Sequence, residues 1–286
     1  MTHFSIAAIT DELSETDLEV ALQAMSDLGM DGAELRVVDG RNIVDLTDDE
    51  VAGVRRRVEA HGMRVVSIAS PLLKCVLPGG PPIDPRLQQD VFGSTRTFDD
   101  QEWLARRSIE IAVTTGASIV RVFSYWRTVA PEECRDRIAE SLWQLAEEAW
   151  KHGVTIGLEN EHACNVGTGA EAARLLALVE HPGLKLVWDP ANAAVLGETP
   201  FPDGYAALPP YRIVHVHAKD CDVHDRTPTW GLLGEMSVDW KGQIEALVRD
   251  GYKGAISLET HWRGADGNRL EASILCGRAL RALVTS

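Results

Sequence analysis

Apolar residues recur along the chain with two periods. Short runs, alternating or wholly aliphatic, predict strands at 4–10, 32–37, 64–69, 118–125, 154–159, 184–189, 213–218 and 254–259. Between them, apolar positions three and four apart predict helices at 17–28, 45–60, 100–115, 131–152, 170–179, 239–249 and 268–283, with a short, weakly marked helix around Tyr205. Thr47 followed by Glu50 is a capping-box pair that starts one of these helices. Strand and helix alternating over the whole length imply a parallel sheet. Eight such units without a break in composition predict a closed (β/α)8 barrel, a TIM barrel, as a single domain over residues 1–286. No glycine-rich phosphate-binding fingerprint follows any strand, which argues against an open nucleotide-binding sheet. Two stretches break the rhythm. Residues 71–99, with Pro78-Gly79-Gly80-Pro81-Pro82, are too long and aperiodic for filler and predict a binding loop or lid; 221–237 predicts a plain loop.

The stretch Ile213-Val214-His215-Val216-His217-Ala218-Lys219-Asp220 combines a strand with concentrated chemistry. Ile213, His215 and His217 share one face; Val214, Val216 and Ala218 share the other. The aliphatic face can pack under helices. The histidine face must meet polar partners, because an unpartnered imidazole is costly to bury. Hydrogen-bonded core histidines and a metal site both satisfy that demand.

The late strands extend the pattern, ending in Glu159, Asp189, His217 and Glu259. In 154–159 the aliphatic phase is Val154, Ile156 and Leu158, so Glu159 falls with Thr155 and Gly157 on the phase facing the barrel axis; 255–259 splits the same way and puts Glu259 there. The four positions are 30, 28 and 42 residues apart, near one strand–helix unit per step. With strands about 4.8 Å apart, the four side chains can converge. Three carboxylates and an imidazole repel one another unless a cation lies between them, which predicts a divalent metal. An oxygen-rich set with one nitrogen suits Mn²⁺ best, then Mg²⁺ or Co²⁺; Zn²⁺ fits less well because no cysteine takes part. Elsewhere the expectations are plain. Glu34 beside Arg36 predicts a rim salt bridge, Lys74 a solvated lysine, Cys164 and Cys221 inert fillers, and Trp126, Trp230, Trp240 and Trp262 loop anchors.

Charge narrows the partners. With 28 Lys and Arg against 43 Asp and Glu, the net charge of −15 disfavours nucleic acid and anionic membranes, whose binding draws on basic residues. Five dispersed cysteines, an odd number without a CxxC pair, suit a reducing compartment. The N-terminus has no basic region followed by an apolar signal core, and no run of about 18 apolar residues occurs, so a cytoplasmic protein acting on a small molecule is expected. A homo-oligomer is compatible with these features.

The motifs Gly157-Leu158-Glu159-Asn160, Trp188-Asp189-Pro190-Ala191-Asn192, His215-Val216-His217-Ala218-Lys219-Asp220, Gly234-Glu235 leading to Val238-Asp239-Trp240, and Ser257-Leu258-Glu259-Thr260, with Asp11-Glu12 and Glu34-Leu35-Arg36, span nearly the whole chain. The chain resembles the xylose-isomerase-like barrels, a family of sugar-phosphate isomerases and epimerases that includes ketose 3-epimerases, hydroxypyruvate isomerases and inosose dehydratases. The resemblance implies that Glu159, Asp189, His217 and Glu259 hold the metal and that Glu159 and Glu259 are also the acid/base pair. It implies that His215, Lys219, Glu235 and His162 line a sugar or polyol pocket, with Asn192 beside them where ketose 3-epimerases usually place a histidine. Those enzymes also usually carry an arginine shortly after the histidines, where this chain has Lys219-Asp220-Cys221. The implied reaction is isomerisation or epimerisation of an α-hydroxycarbonyl compound by proton transfer through an enediolate. The alternative is elimination of a β-oxygen substituent from an inosose or 3-oxo-glycoside. Apurinic endonucleases share the barrel but need a basic surface, and a non-catalytic sugar-binding role is the remaining option.

Overall fold

The computed structural model describes residues 4–88 and 94–285. Eight parallel strands close a barrel: β1 (Ser5–Ile9), β2 (Gly32–Leu35), β3 (Arg64–Ala69), β4 (Ile119–Val122), β5 (Thr155–Glu159), β6 (Leu184–Trp188), β7 (Ile213–Ala218) and β8 (Ala255–Leu258), with β8 returning to pair with β1. Around it lie α1 (Leu18–Asp27), α2 (Asp48–Ala60), α3 (Gln101–Thr115), α4 (Arg135–Trp150), α5 (Gly169–Leu178), α6 (Pro190–Val195), α7 (Trp240–Arg249) and α8 (Arg269–Thr285). The (β/α)8 barrel expected from the alternation is therefore present, most elements within a few residues of their expected bounds. No described helix is long and apolar enough to cross a membrane.

Local chemistry explains the element ends. Thr47 and Glu50 form the expected capping box at α2, and Thr168 with Glu171 forms a second at α5. α3 stops at Gly116 in the left-handed region, where a β-carbon is disfavoured. The strands' outward aliphatic residues, Ile156, Leu158, Val216 and Leu258 among them, are buried in one core with the helices. The inward phase carries small and polar residues because space runs out at the axis. A β-carbon on Gly157 would meet Val187 at 2.7 Å and Ile119 at 3.1 Å.

The local structure departs from simple strand–loop–helix alternation in three places. The stretch 221–237 is not a plain loop: Cys221–His224 and Thr227–Trp230 pair as an antiparallel hairpin, turning at Asp225 and Arg226, both with positive φ. A smaller hairpin joins Val37–Val38 to Arg41–Asn42. Asp11 and Glu12 do not end a strand but sit in a one-turn helix, Thr10–Leu13, where both are buried. The long stretch 71–99 follows β3 over the C-terminal rim; its residues 89–93 lie outside the described ones.

Candidate metal centre

The four strand ends converge as their phase predicts. Parallel register sets Ser257 beside His217 and Val187 beside Glu159, so Glu259 and Asp189 project just above their neighbours at the C-terminal rim. One ligand atom from each of Glu159, Asp189, His217 and Glu259 lies within 4.8 Å of the others, and all four residues are buried. Asp189 has a second task. It caps α6, its Oδ1 accepting the Asn192 backbone N–H at 3.0 Å.

His217 stands at the centre. Its Nδ1 is 3.2 Å from Glu159 Oε1 and 3.3 Å from Glu259 Oε2. Its Nε2 is 3.1 Å from Glu34 Oε2, which also lies 2.9 Å from His215 Nε2. The expected Glu34–Arg36 salt bridge is thus replaced by two separate sets of pairings. Glu34 faces the axis and serves both histidines. Arg36 reaches Asp11 Oδ2 (2.8 Å), Glu12 Oε1 (2.7 Å) and Glu259 Oε1 (2.9 Å). One edge of the His217 imidazole lies among acids that could ligate a metal, and the other edge is hydrogen-bonded in the core.

The remaining site residues are sorted by depth. His215, two positions back on β7, lies a layer deeper against Glu34 and is fully buried. Lys219 turns inward, its Nζ 2.8 Å from Asp189 Oδ2 and 2.9 Å from Glu259 Oε2. His162 Nδ1 pairs with Asn192 Oδ1 at 2.8 Å, and Asn192 Nδ2 donates to Glu159 Oε1 at 3.2 Å. Glu235 is exposed. Asp220 is occupied as a clamp, accepting the backbone N–H of Cys221, Gly234, Met236 and Val238 at 2.8–3.3 Å. Cys164 and Cys221 are buried, the Cys221 thiol pushed up to about 12, chiefly by burial. Trp240 anchors the end of β7 by donating from Nε1 to the Lys219 carbonyl (3.0 Å).

A cavity of about 280 Å³ adjoins the cluster at Glu259. Its described lining differs from the expected set: Arg36, Lys74, Arg121, Phe123, Glu161 and His261 line it, whereas His215, Lys219, Glu235, His162 and Asn192 do not. Lys74, expected in solvent, is only 5% exposed. Arg121 went unnoticed in the sequence, although its strand phase, shared with Ile119, was the available signal. It lies 3.1 Å from Glu159 Oε2.

The electrostatics favour a cation. Burial opposes ionisation of Glu159, but His217 and Arg121 outweigh it and hold the carboxyl below its usual range. Lys219, His217 and His261 do the same for Glu259, more strongly. Asp189 goes the other way. Burial raises it and, despite the Lys219 ammonium, Glu159 and Glu259 help bring it to about 6. Glu159 Oε2 and Asp189 Oδ2 are enclosed without an aligned hydrogen-bond donor, close as Arg121 and Lys219 are. Three hard oxygens and one imidazole nitrogen within reach of one point fit a divalent metal.

A parallel eightfold barrel with carboxylates and a histidine gathered at its C-terminal rim defines a class of barrel whose sites are built at that rim. The match of residues 22–280 to the family model for the xylose isomerase-like TIM barrel places the chain within it: the protein belongs to that family. Inosose dehydratase from Lacticaseibacillus casei is 25% identical over 164 residues, 51% of this chain and 54% of that protein, so the chain spans about half the length of the curated relatives it matches. Among solved structures, the IolI protein with a bound zinc atom superposes with a TM-score of 0.73 at 17% identity, covering 98% of each chain. The D-allulose 3-epimerase of Methylomonas sp., solved with D-allulose, gives 0.71 at 18% identity over 99% of this chain and 96% of that one. The probable 3-DHS dehydratase AsbF of Bacillus anthracis gives 0.71 at 18%, over 97% and 98%. At these identities the solved structures show a shared fold. The relatives named include epimerases and dehydratases.

Proposed function

We propose that the protein is a divalent-metal-dependent isomerase or epimerase acting on an α-hydroxycarbonyl sugar or polyol. Glu159, Asp189, His217 and Glu259 hold the metal, and Glu159 and Glu259 carry the proton. The observation that supports this reading is the convergence of the three carboxylates and one imidazole within 4.8 Å. The metal, Mn²⁺ by preference over Mg²⁺, Co²⁺ or Zn²⁺, supplies Lewis acidity to the substrate's carbonyl when bound. The chain does the rest. Glu159 and Glu259 are both held ionised, so either can accept a carbon-bound proton, and the other, once it has taken a proton from water, can deliver it to the opposite face or the neighbouring carbon. Asn192 and Arg121 fix Glu159; Arg36 and Lys219 fix Glu259. His162 acts through Asn192, and His215 with Glu34 orients His217.

Elimination is the second reading, favoured by the inosose dehydratase relatives and by the Lys219 ammonium, 2.9 Å from Glu259, which can protonate a departing β-oxygen. Both reactions begin with loss of the α-proton. The test is incubation of Mn²⁺-loaded protein with ketoses, inososes and 3-oxo-glycosides in D₂O, followed by NMR. Deuterium at an α-carbon of an epimer or isomer is expected for the first reading, and a dehydrated product, deuterated at the former β-carbon where its enol ketonises, for the second. Neither exchange nor a dehydrated product across the panel contradicts both.

Metal binding has a defined pH sign. Burial opposes the His217 proton, but Glu34, Glu159 and Glu259 outweigh it and raise the imidazole well above its usual value, while Asp189 titrates at about 6. A ligand must lose its proton, so Mn²⁺ affinity is expected to rise as pH passes about 6 and to keep rising above that as His217 is deprotonated, with protons released on binding. Calorimetry in two buffers of different ionisation enthalpy reads that release. Affinity independent of pH, with equal heats in both buffers, contradicts this ligand set.

A further inference from the structure

We propose that two copies of this chain associate through the surface where β5, β6 and β7 begin, at the end of the barrel opposite the metal centre, with the exposed tryptophans of one copy packed against Tyr211 of the other. This association is independent of which reaction the C-terminal rim performs.

Exposed aromatic area is the first observation. Among the described residues twelve large hydrophobic side chains are exposed, and four of them gather here: Trp143 and Trp150 on α4, Leu178 at the end of α5, and Tyr211 just before β7. Each is 48–77% exposed. His181 connects them. Its ring meets Trp143 and Trp150 edge-on, with centroids 6.1 and 6.4 Å away. Its carbonyl accepts the Leu184 N–H at 3.1 Å, and the Leu184 carbonyl accepts from Arg212 Nε at 3.2 Å, which brings Tyr211 to the same surface. Arg212 also donates from Nη2 to the Val179 carbonyl at 3.1 Å, beside Leu178. Single exposed apolar residues are ordinary, but tryptophan and tyrosine grouped on one patch are the side chains that carry binding energy between proteins.

The patch is also prepared for contact. His181 supports both tryptophan rings, and Lys185 Nζ lies 5.9 Å from the centre of the Tyr211 ring. Rings already held by neighbours lose little freedom on association, so more of their burial is expressed as affinity.

Charge selects the occupant. The chain carries a net charge of −15, so two copies repel over most of their surface. This patch instead carries both signs, at opposite ends. Glu147 stands by the tryptophans, its Oε2 3.1 Å from His181 Nε2, and Lys185 stands by Tyr211, its Nζ donating to the Tyr211 carbonyl at 3.4 Å. Lys151 and Glu148, next to Trp150, neutralise each other at 2.9 Å. A twofold axis through the middle of the patch exchanges its two ends. Glu147 then faces the partner's Lys185 and Lys185 faces the partner's Glu147, while each tryptophan pair meets the partner's Tyr211. A foreign surface of one sign would satisfy one end and oppose the other; a second copy satisfies both.

The test is sedimentation velocity with light scattering on the full chain. At about 10 µM a dimer of about 63 kDa, twice the 31.3 kDa of one chain, is expected. Trp150→Ala and Tyr211→Ala are each expected to weaken association by about tenfold or more, because a twofold contact loses each side chain twice. Glu147→Lys and Lys185→Glu are each expected to weaken it by about tenfold, and the double variant, which restores opposite signs across the axis, to recover most of that loss. Val113→Lys, on the exposed side of α3, is expected to leave the mass unchanged. These side chains project into solvent, so the fold survives each substitution, and circular dichroism checks that it does. A chain that stays monomeric at about 50 µM leaves the patch to a different protein and overturns the proposal. A dimer that Trp150→Ala and Tyr211→Ala leave intact, or a charge swap that fails to restore association, would overturn it as well.

Discussion

Replacing Glu159 with glutamine is expected to lower deuterium incorporation by about 10²- to 10⁴-fold, the usual contribution of a positioned acid or base. The substitution keeps the side chain's length and leaves an oxygen to accept from Asn192 Nδ2, the contact now at 3.2 Å. It removes the charge that faces Arg121 and His217. Some stability must go with that charge, because the fold holds Glu159 ionised against burial. The variant's metal content, measured alongside exchange, separates two roles. Lost exchange with metal retained assigns Glu159 to proton transfer. Lost metal assigns it to ligation, and undiminished exchange removes it from the acid/base pair.

Arg36→Met is expected to destabilise the protein by about 3–5 kcal/mol, the cost of breaking a buried ion pair from one side. Arg36 is 8% exposed and meets three buried carboxylates, Asp11, Glu12 and Glu259. Methionine fills the space and leaves their charge facing inward. Glu12 illustrates the sign. Burial raises its carboxyl, but His261, Arg36 and Arg269 outweigh burial and lower it, so the stability it contributes is present above its unfolded value and fades as pH falls through the folded one. Without Arg36 that contribution shrinks, and protonation relieves the acids. The difference between variant and parent, from denaturant unfolding, should narrow on acidification from pH 7 towards pH 4. A difference below about 1 kcal/mol at pH 7 would make this network no stronger than a surface ion pair.

The strand ends were legible in the sequence because alternation identifies which residues share a face. Thr155, Gly157 and Glu159 fall together, and the tight approach of Val187 and Ile119 to Gly157 shows why that phase must be small or polar. Pairing across the barrel was not legible. Glu34 and His215 are 181 residues apart in the chain, and no local period reports that they meet; the nearby Arg36 was the obvious but wrong partner. Lys74 was misplaced for a related reason. It lies in an aperiodic stretch, and it packs over Phe123 and Trp126, both just beyond β4. The hairpin within 221–230 was hidden because Pro228 and the Asp225-Arg226 turn interrupt its alternation. Arg121 drew no notice in the sequence, although its phase already directed it inward.

Asp189 both ends a strand and caps the helix that follows at once, so no spacer separates the proposed ligand from rigid structure on either side. An insertion there would move the ligand and uncap α6 together. The excursions after β3 and β7 are under no such constraint, each a long path anchored at separate points, Lys74 and Arg121 meeting at Phe123 in one case and the Asp220 clamp holding the other. Length and composition can therefore drift in those two segments while the acids stay in register. On this rim, new substrate preferences should be gained by remodelling 71–99 and 221–237, and a laboratory effort to redirect the protein should randomise those segments and leave 186–192 untouched.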